Sequence, residues 1–356
     1  MISVELPNSV SNHIIHGAFK TGIAASEWNI DGLLRSVWYL LHDSPARRED
    51  FLKISKSKKL PLKFCGTRWL EDAPVAERAL LIWEDVCTYV KSLCSKPASQ
   101  VPKVQSFQNL KVLVQDPLIT AKLQFFVNVA KTLQPYLETF QTEKPMMPFV
   151  SDALYNLLYG IMARFVKKDV LDGASTVLKL MEIDISKKEN LVTAKNVGTG
   201  FAAKQTVQDV ERQQKASARQ ILEFRSQSIT SLQSVANKLI ERCPLKYPVV
   251  RYLSCLDPRV MARDTGDAVD KMTKLLDKLI RLKQATAEQC DTALSEYKAF
   301  LRLVKTDALS QFREYDPVKS CRLDGFLAEY MTQPQFSTLW DIVKQMLILS
   351  HGQAMG

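Results

Sequence analysis

The chain contains one pair of side chains suited to handling nucleic acid, Arg68 followed by Trp69 at the end of an apolar run. An indole at a loop edge can stack on an unpaired base, while a neighbouring guanidinium holds a phosphate. A structural role is the alternative, in which Trp69 covers the edge of a core and Arg68 pairs with Glu71 or Glu77. The residue types leave both interpretations open.

A second candidate is a row of cations in the segment "DKMTKLLDKLIRLK". At helical spacing Lys271, Lys274, Lys278 and Arg281 lie on one flank of a helix. Such a row could follow the phosphates of a nucleic acid. A solvated helix face explains the same pattern.

Residues suited to metal or acid–base chemistry are sparse. His13 and His16 are three residues apart on a predicted helix, but a zinc site needs three or four ligands, and no third has fitting spacing. Glu5 is the only acid within a predicted strand, whereas two-metal phosphoryl chemistry needs several rigidly held carboxylates. The chain also lacks a glycine-rich phosphate loop, GxSxG and HExxH. We therefore predict no catalytic residue, no metal site and no cofactor.

Charge and cysteine usage bound the class of protein. Lysine and arginine number 48 against 38 acids, a net charge of +10, which favours a polyanionic partner such as nucleic acid. The seven cysteines form no CxxC pair and lie in apolar runs, as reduced core thiols do. The first residues show no signal peptide, and "LWDIVKQMLILS" is too short to span a bilayer. We expect a nuclear or cytoplasmic protein that is neither secreted nor membrane-bound.

Two short strands are predicted near the start of the chain. "ISVEL" alternates apolar and polar residues, and so does "LPLKFCGTRW", residues 60–69. Between them the pattern predicts a helix that ends near Gly22 and another that ends before Pro45. Asp72 is a candidate N-cap for the following helix, which has Pro74 in its first turn.

The rest of the chain has the spacing of helices. A polar, proline-bearing linker occupies residues 96–110. We predict one long helix over 202–243, a helix pair over 265–283 and 286–305, and a last helix over 336–352. The predicted fold class is mainly α with a short α/β part.

Several blocks of the sequence resemble proteins of the hAT superfamily of transposases and their transposon-derived relatives. The blocks are "HGAFKTG", "LLHDSPARREDF", "LPLKFCGTRWLEDAPVAERALLIW", "DPLITAKLQFF", "DISKKEN" and "CPLKYPVVRYLSCLDPRVMA". This resemblance covers nearly the whole chain and implies an RNase H-like core interrupted by a large all-helical insertion. The implied division is a partial RNase H-like α/β region (1–95), the linker (96–110), the insertion (111–335) and the start of a C-terminal RNase H-like or dimerisation region (336–356).

The resemblance also implies roles for individual residues. The family's C/D-x-x-H motif places its histidine on His13, although Val10 stands at the first position. Its Arg-Trp motif falls on Arg68 and Trp69, and the family's tryptophan is implied to stabilise a flipped base or a hairpin DNA end. The family's three catalytic carboxylates have no counterpart here, so the resemblance implies a chain truncated at both ends. A divalent metal is implied only for a full-length member.

Together these patterns predict a transposase-derived protein that lacks catalysis and binds at most nucleic acid or a protein partner. DNA with hairpin or unpaired ends is the expected ligand, and a homo-oligomer is consistent with the family. The candidate DNA-binding residues are His13, Arg68, Trp69, Lys271, Lys274, Lys278 and Arg281. Two alternatives stay open: an α-helical interaction scaffold with no nucleic-acid role, and a fragment of an active DNA transposase.

Overall fold

A computed structural model describes residues 12–66, 69–242 and 244–348 of the chain. These residues are mostly helical and contain no sheet; one isolated antiparallel bridge joins Val166 to Leu191. The predicted mainly α class is confirmed. The strand predicted in "ISVEL" lies outside the described residues.

The α-helices follow one another along the chain, and the longest connections lie before α4 and before α10. In order they are α1 (Asn12–Ala25), α2 (Ile30–His42), α3 (Pro45–Ile54), α4 (Ala73–Cys94), α5 (Gln105–Leu113), α6 (Ile119–Phe140), α7 (Met147–Met162), α8 (Lys168–Asp172), α9 (Val177–Glu182), α10 (Phe201–Arg212), α11 (Ala218–Arg242), α12 (Pro248–Tyr252), α13 (Pro258–Arg263), α14 (Thr265–Arg281), α15 (Ala287–Asp307), α16 (Leu309–Arg313), α17 (Leu323–Met331) and α18 (Ser337–Ile348).

The prediction of a strand over 60–69 is wrong for its described part, because residues 60–66 form an extended loop with no strand beside it. Side chains satisfy the loop backbone instead: Arg78 donates to the Leu60 carbonyl at 2.8 Å, and the Cys65 amide donates to Asp72 at 2.7 Å. Phe64 is buried against helices. Apolar alternation therefore reports a loop that packs one side on the core, which sequence alone does not distinguish from a strand.

Helix α6 lies at the centre of one group of helices and contacts α1, α4, α7 and α10. Its buried residues include the neighbours Phe125 and Phe126, which point in different directions around the helix. A helix that is apolar on several faces must be surrounded, and this explains why α6 has so many partners.

The contact between α1 and α11 joins segments about 200 residues apart in the sequence. Gly22 was predicted to end α1, but the helix continues to Ala25. A Cβ at Gly22 would lie 2.2 Å from a methyl of Val235 and 2.9 Å from the Ser231 carbonyl. The glycine therefore permits close packing of the two helices.

Helices α12 to α18 form a second group, in which the predicted pair α14 and α15 packs together and α18 lies on α15. Helix α7 contacts both groups, and the buried apolar residues form one continuous cluster from Ile15 to Leu347. Helix α5 overlaps the end of the predicted linker and packs on α2 through the buried Phe107 and Leu110. The division into domains stays a prediction.

The long helix predicted over 202–243 is wrong, because the chain forms α10 and α11 with a turn between them. Gln214 has a left-handed φ of 52°, and the Lys215 amide donates back to the Val210 carbonyl at 2.9 Å. Ser217 and Gln220 then start α11 as a capping box, with reciprocal bonds of 3.2 and 2.9 Å. The turn separates the two helices, and a cleft lies between them.

Candidate functional site

The Trp69 side chain is only 6% exposed. Its indole N–H donates to the Gly66 carbonyl at 3.1 Å, and its ring meets Phe64 at a centroid distance of 5.3 Å and an angle of 88°. Lys20 places its ammonium 6.0 Å from the ring centroid. The indole has no open face for a base, and this geometry favours the structural interpretation. Arg68 and the side chain of His13 lie outside the described residues.

The polar groups around Trp69 join α1, the 60–66 loop and the start of α4, a region here called the Trp69 corner. The Leu70 amide donates to His16 Nδ1 at 3.3 Å, which ties the loop to α1. Helix α4 begins after Asp72 as predicted, but the Asp72 carboxylate makes no capping bond. It is 1% exposed, and Oδ2 has no hydrogen-bond partner in the described part of the chain. Burial raises the pKa of Asp72 to about 6, although nearby Arg35 opposes the shift.

The predicted row of cations lies on α14, but acids of the same helix neutralise half of it. Lys271 is 2.7 Å from a carboxylate oxygen of Asp267, and Arg281 is 2.8 Å from Asp277. Lys274 is exposed and places its ammonium 5.8 Å from the ring centroid of Tyr252. Lys278 is exposed as well. Pairs one helical turn apart weaken the field that this row presents to a polyanion.

Two of these lysines line a cavity of about 550 Å³, here called the α7–α14 cleft. Its lining combines three acids with three cations: Asp152, Asp267, Asp270, Arg251, Lys271 and Lys274. The balanced charge gives this cleft no net attraction for phosphate.

A second cavity, of about 370 Å³, lies where the Ala194–Asn196 turn meets α10 and α11; we call it the α10–α11 cleft. Lys195, Lys204 and Arg225 line it, and no acid does. The other polar groups on its walls are neutral: Asn196, Thr199 and Gln208. Three cations around one concave space form a site for an anion.

Charges next to the α10–α11 cleft act in both directions. A carboxylate oxygen of Glu211 lies 3.9 Å from a guanidinium nitrogen of Arg225, an ion pair beyond hydrogen-bond distance that partly offsets this charge. On the other side, Arg164 donates from Nε to the carbonyl of Gly198 at 2.7 Å. Gly198 stands between two residues that line the cleft, so Arg164 lies beside its wall.

The Arg164 guanidinium is itself unusual. Nη1 and Nη2 are buried and have no hydrogen-bond partner among the described residues. Burial lowers the pKa of Arg164 to about 10, so the group keeps its charge at neutral pH. Its guanidinium carbon lies 5.6 Å from the centroid of Phe125, which supplies a weak cation–π contact but no anion. Arg164 therefore adds a positive charge beside the α10–α11 cleft, and no described acid forms an ion pair with it.

Phe201, the first residue of α10, is 79% exposed. It precedes Lys204 by three residues and Gln208 by seven, so all three lie on one face of the helix. Gly200, with φ 91°, leads the chain into the helix, and a Cβ there would lie 2.6 Å from the Asn128 side chain. The exposed ring thus lies one helical turn from Lys204, which lines the cationic cleft.

The sequence patterns missed the α10–α11 cleft and found the α14 row. A signal was present: the S-x-x-Q pattern of Ser217 and Gln220 marks a helix start inside the supposed long helix. No comparable signal identifies Phe201, since an aromatic residue in an amphipathic helix is usually assigned to the core.

No group of three or more His, Cys, Asp or Glu side chains within 12–66, 69–242 and 244–348 is placed to hold a metal ion. In the same residues, no helix is both long and apolar enough to cross a membrane. Comparison of the chain with family models finds no match, and neither do comparisons with curated proteins and solved structures.

Proposed function

We propose that this protein binds nucleic acid without cutting it and that it derives from a transposase of the hAT type. The observation that carries the binding proposal is the α10–α11 cleft, where Lys195, Lys204 and Arg225 surround a cavity whose lining has no acid. Concentrated positive charge in a concave site attracts phosphate and releases the counterions of the nucleic acid. The net charge of +10 supports the same partner.

The proposed descent rests on the sequence blocks that resemble the hAT family. The proposal assigns the helices of residues 111–335 to the family's helical insertion, as the resemblance implies. The proposed chemistry is binding alone: the cleft has cations and neutral polar groups but no carboxylate pair to hold two metal ions. The expected oligomer and the nuclear or cytoplasmic location stay predictions.

The α14 row has a secondary role in this proposal. Lys274 and Lys278 are exposed and can contact phosphates that extend from the main site, while the acid-paired Lys271 and Arg281 contribute less. The proposal gives Trp69 no contact with nucleic acid, because its ring is enclosed by the fold.

Fluorescence anisotropy with labelled DNA at several salt concentrations tests the proposed function. Wild-type affinity should fall steeply as salt rises, and Lys195→Ala with Lys204→Ala should reduce the slope of log affinity against log salt by about two, at about 0.9 per phosphate contact. The matched change is Lys271→Ala with Lys274→Ala in the α7–α14 cleft. It should have the smaller effect, because Lys271 is already paired with Asp267.

Two results would contradict the proposal. If no DNA binds at low salt, the chain is better described as an interaction scaffold. If the two double variants change the slope equally, the binding is a property of the whole surface and the cleft has no special part in it.

A further inference from the structure

We infer that Phe201 and the α10–α11 cleft together hold one unpaired nucleotide of a DNA or RNA strand. The base stacks on the exposed ring, and the adjoining phosphate enters the cleft between Lys195, Lys204 and Arg225. This inference rests on the proposed function and narrows it from nucleic acid in general to single strands.

Phe201 differs from the other phenylalanines in its exposure to solvent. Most phenylalanines of the described residues are buried, and Phe201 is the one phenylalanine among their strongly exposed large apolar side chains. A single exposed apolar side chain is ordinary on a protein surface and by itself needs no explanation. Phe201 differs because it lies one helical turn from Lys204, a cation that lines the cavity. Proteins that bind single strands combine aromatic rings with nearby cations in this way.

The spacing of residues on α10 places an aromatic ring and a cation side by side. Phe201 and Lys204 are neighbours on one face, with Cβ atoms about 5–6 Å apart at this separation. A lysine side chain is long and flexible, so the Lys204 ammonium can reach the phosphate of a nucleotide whose base stacks on the ring. Gln208 lies one turn further along the same face.

The helix that carries Phe201 is held firmly by its neighbours, and a rigid binding surface loses little conformational entropy on binding. Helix α10 packs on α6 through the buried Ala203 and Val207, and Thr206 donates to Gln124 of α6 at 2.8 Å. The Lys204 amide donates to the Gly200 carbonyl at 3.0 Å, which closes the first turn of the helix. The backbone that carries the ring is therefore held in place before the ligand arrives.

Size and access decide between a paired and an unpaired ligand. A cavity of about 370 Å³ is in the range of sites for small ligands, and a duplex cannot enter it. Stacking also needs an exposed base face, and the faces of bases inside a duplex are covered by the neighbouring base pairs. Both features select an unpaired nucleotide.

The experiment compares a labelled oligothymidine strand, its RNA equivalent and a blunt-ended DNA duplex without a loop by anisotropy at one fixed salt concentration. Phe201→Ala should weaken binding of both single strands by about 5- to 150-fold, the range for loss of one stacked base. It should leave duplex affinity within about twofold, because phosphate contacts remain. Phe201→Leu should resemble Phe201→Ala, whereas Phe201→Trp should keep or raise affinity, since only the latter retains a π-face.

Val112→Ala on α5 is the matched control, because Val112 is another strongly exposed apolar side chain, at 72%. It should change no affinity. If Phe201→Ala leaves single-strand binding unchanged, or if Phe201→Leu binds as well as wild type, the stacking inference is wrong. The salt-slope effect of Lys195→Ala with Lys204→Ala would still support the proposed function in that case, so the two failures are distinguishable. A free mononucleotide that binds as tightly as the strand would also overturn the inference, because the site would then belong to a small molecule.

Discussion

The corner around Trp69 and the α10–α11 cleft near Phe201 both bring an aromatic ring close to cations. They differ in exposure: Trp69 is 6% exposed and Phe201 is 79% exposed. At the corner, Arg35 lies 4.9 Å from the ring centroid of Phe64, so the cation is used in packing. At the cleft, Lys204 lines open space. The same residue types build a core in one place and a binding surface in the other.

The difference teaches that a cation is available to a ligand only where the fold has not already given it a partner. The α14 row supports this, because its aspartates pair with Lys271 and Arg281. The lining of the α10–α11 cleft contains no acid, and among the described residues Arg225 is the one of its cations with an ion-pair partner, Glu211 at 3.9 Å. A buried ring whose neighbouring cations already have partners in the fold stabilises the protein. An exposed ring near cations that lack such partners can bind a ligand.

The largest expected effect separates the two aromatic residues by stability. Trp69→Ala should lower the free energy of unfolding by about 3–5 kcal/mol, because it removes a large buried side chain and leaves a cavity. Phe201→Ala should change it by less than about 0.5 kcal/mol, as an exposed position does. Urea unfolding followed by circular dichroism measures both. A Phe201 variant that loses as much stability as the Trp69 variant would show that the comparison is wrong.

Helical periodicity was enough to predict most of the fold. In α4 the helical spacing of Val75, Ile82 and Val90 places them on one face, and that face is buried because a 3.6-residue period indicates which side meets the core. Periodicity could not predict the cleft. Val210 and Ile221 are both buried on either side of the α10–α11 turn, so the apolar pattern continues across the turn and the two helices look like one in the sequence. Exposure of Phe201 and Trp69 depends on which helices meet there, and that is a property of the tertiary structure.

The next effect concerns pH and belongs to the Trp69 corner alone. The pKa of Asp72 is about 6 in the folded protein against 3.8 in a free side chain, because the carboxylate is buried. The folded state therefore holds this proton more tightly than the unfolded state, and the contribution to stability is greatest below about pH 4 and falls as pH rises to about 6. The shift corresponds to a change on the order of 1–3 kcal/mol.

Urea midpoints at about pH 4.5 and pH 7.5 test this effect. Wild type should lose stability between them, and Asp72→Asn should lose less, because asparagine does not titrate. Asp85 is the contrasting carboxylate: burial opposes its charge, but hydrogen bonds from the Lys56 amide and the Ser55 and Ser57 hydroxyls outweigh burial and bring its pKa to about 2. It does not titrate in this window. An unchanged pH dependence in Asp72→Asn would show that Asp72 is not the responsible group.

The smallest expected effect concerns the turn that separates α10 from α11 and so shapes the cleft. Ser217 accepts a hydrogen bond from the Gln220 amide at 3.2 Å, which caps the start of α11. Ser217→Ala should lower the free energy of unfolding by about 1 kcal/mol, while Ser217→Gly should cost only a few tenths, since glycine leaves the first amides open to water. Ser226→Ala is the matched control, an exposed serine in the interior of the same helix. It should be neutral or slightly stabilising, because alanine is the better helix former. Equal effects at both serines would mean that the capping box does not stabilise α11, and the separation of the two helices would then need another explanation.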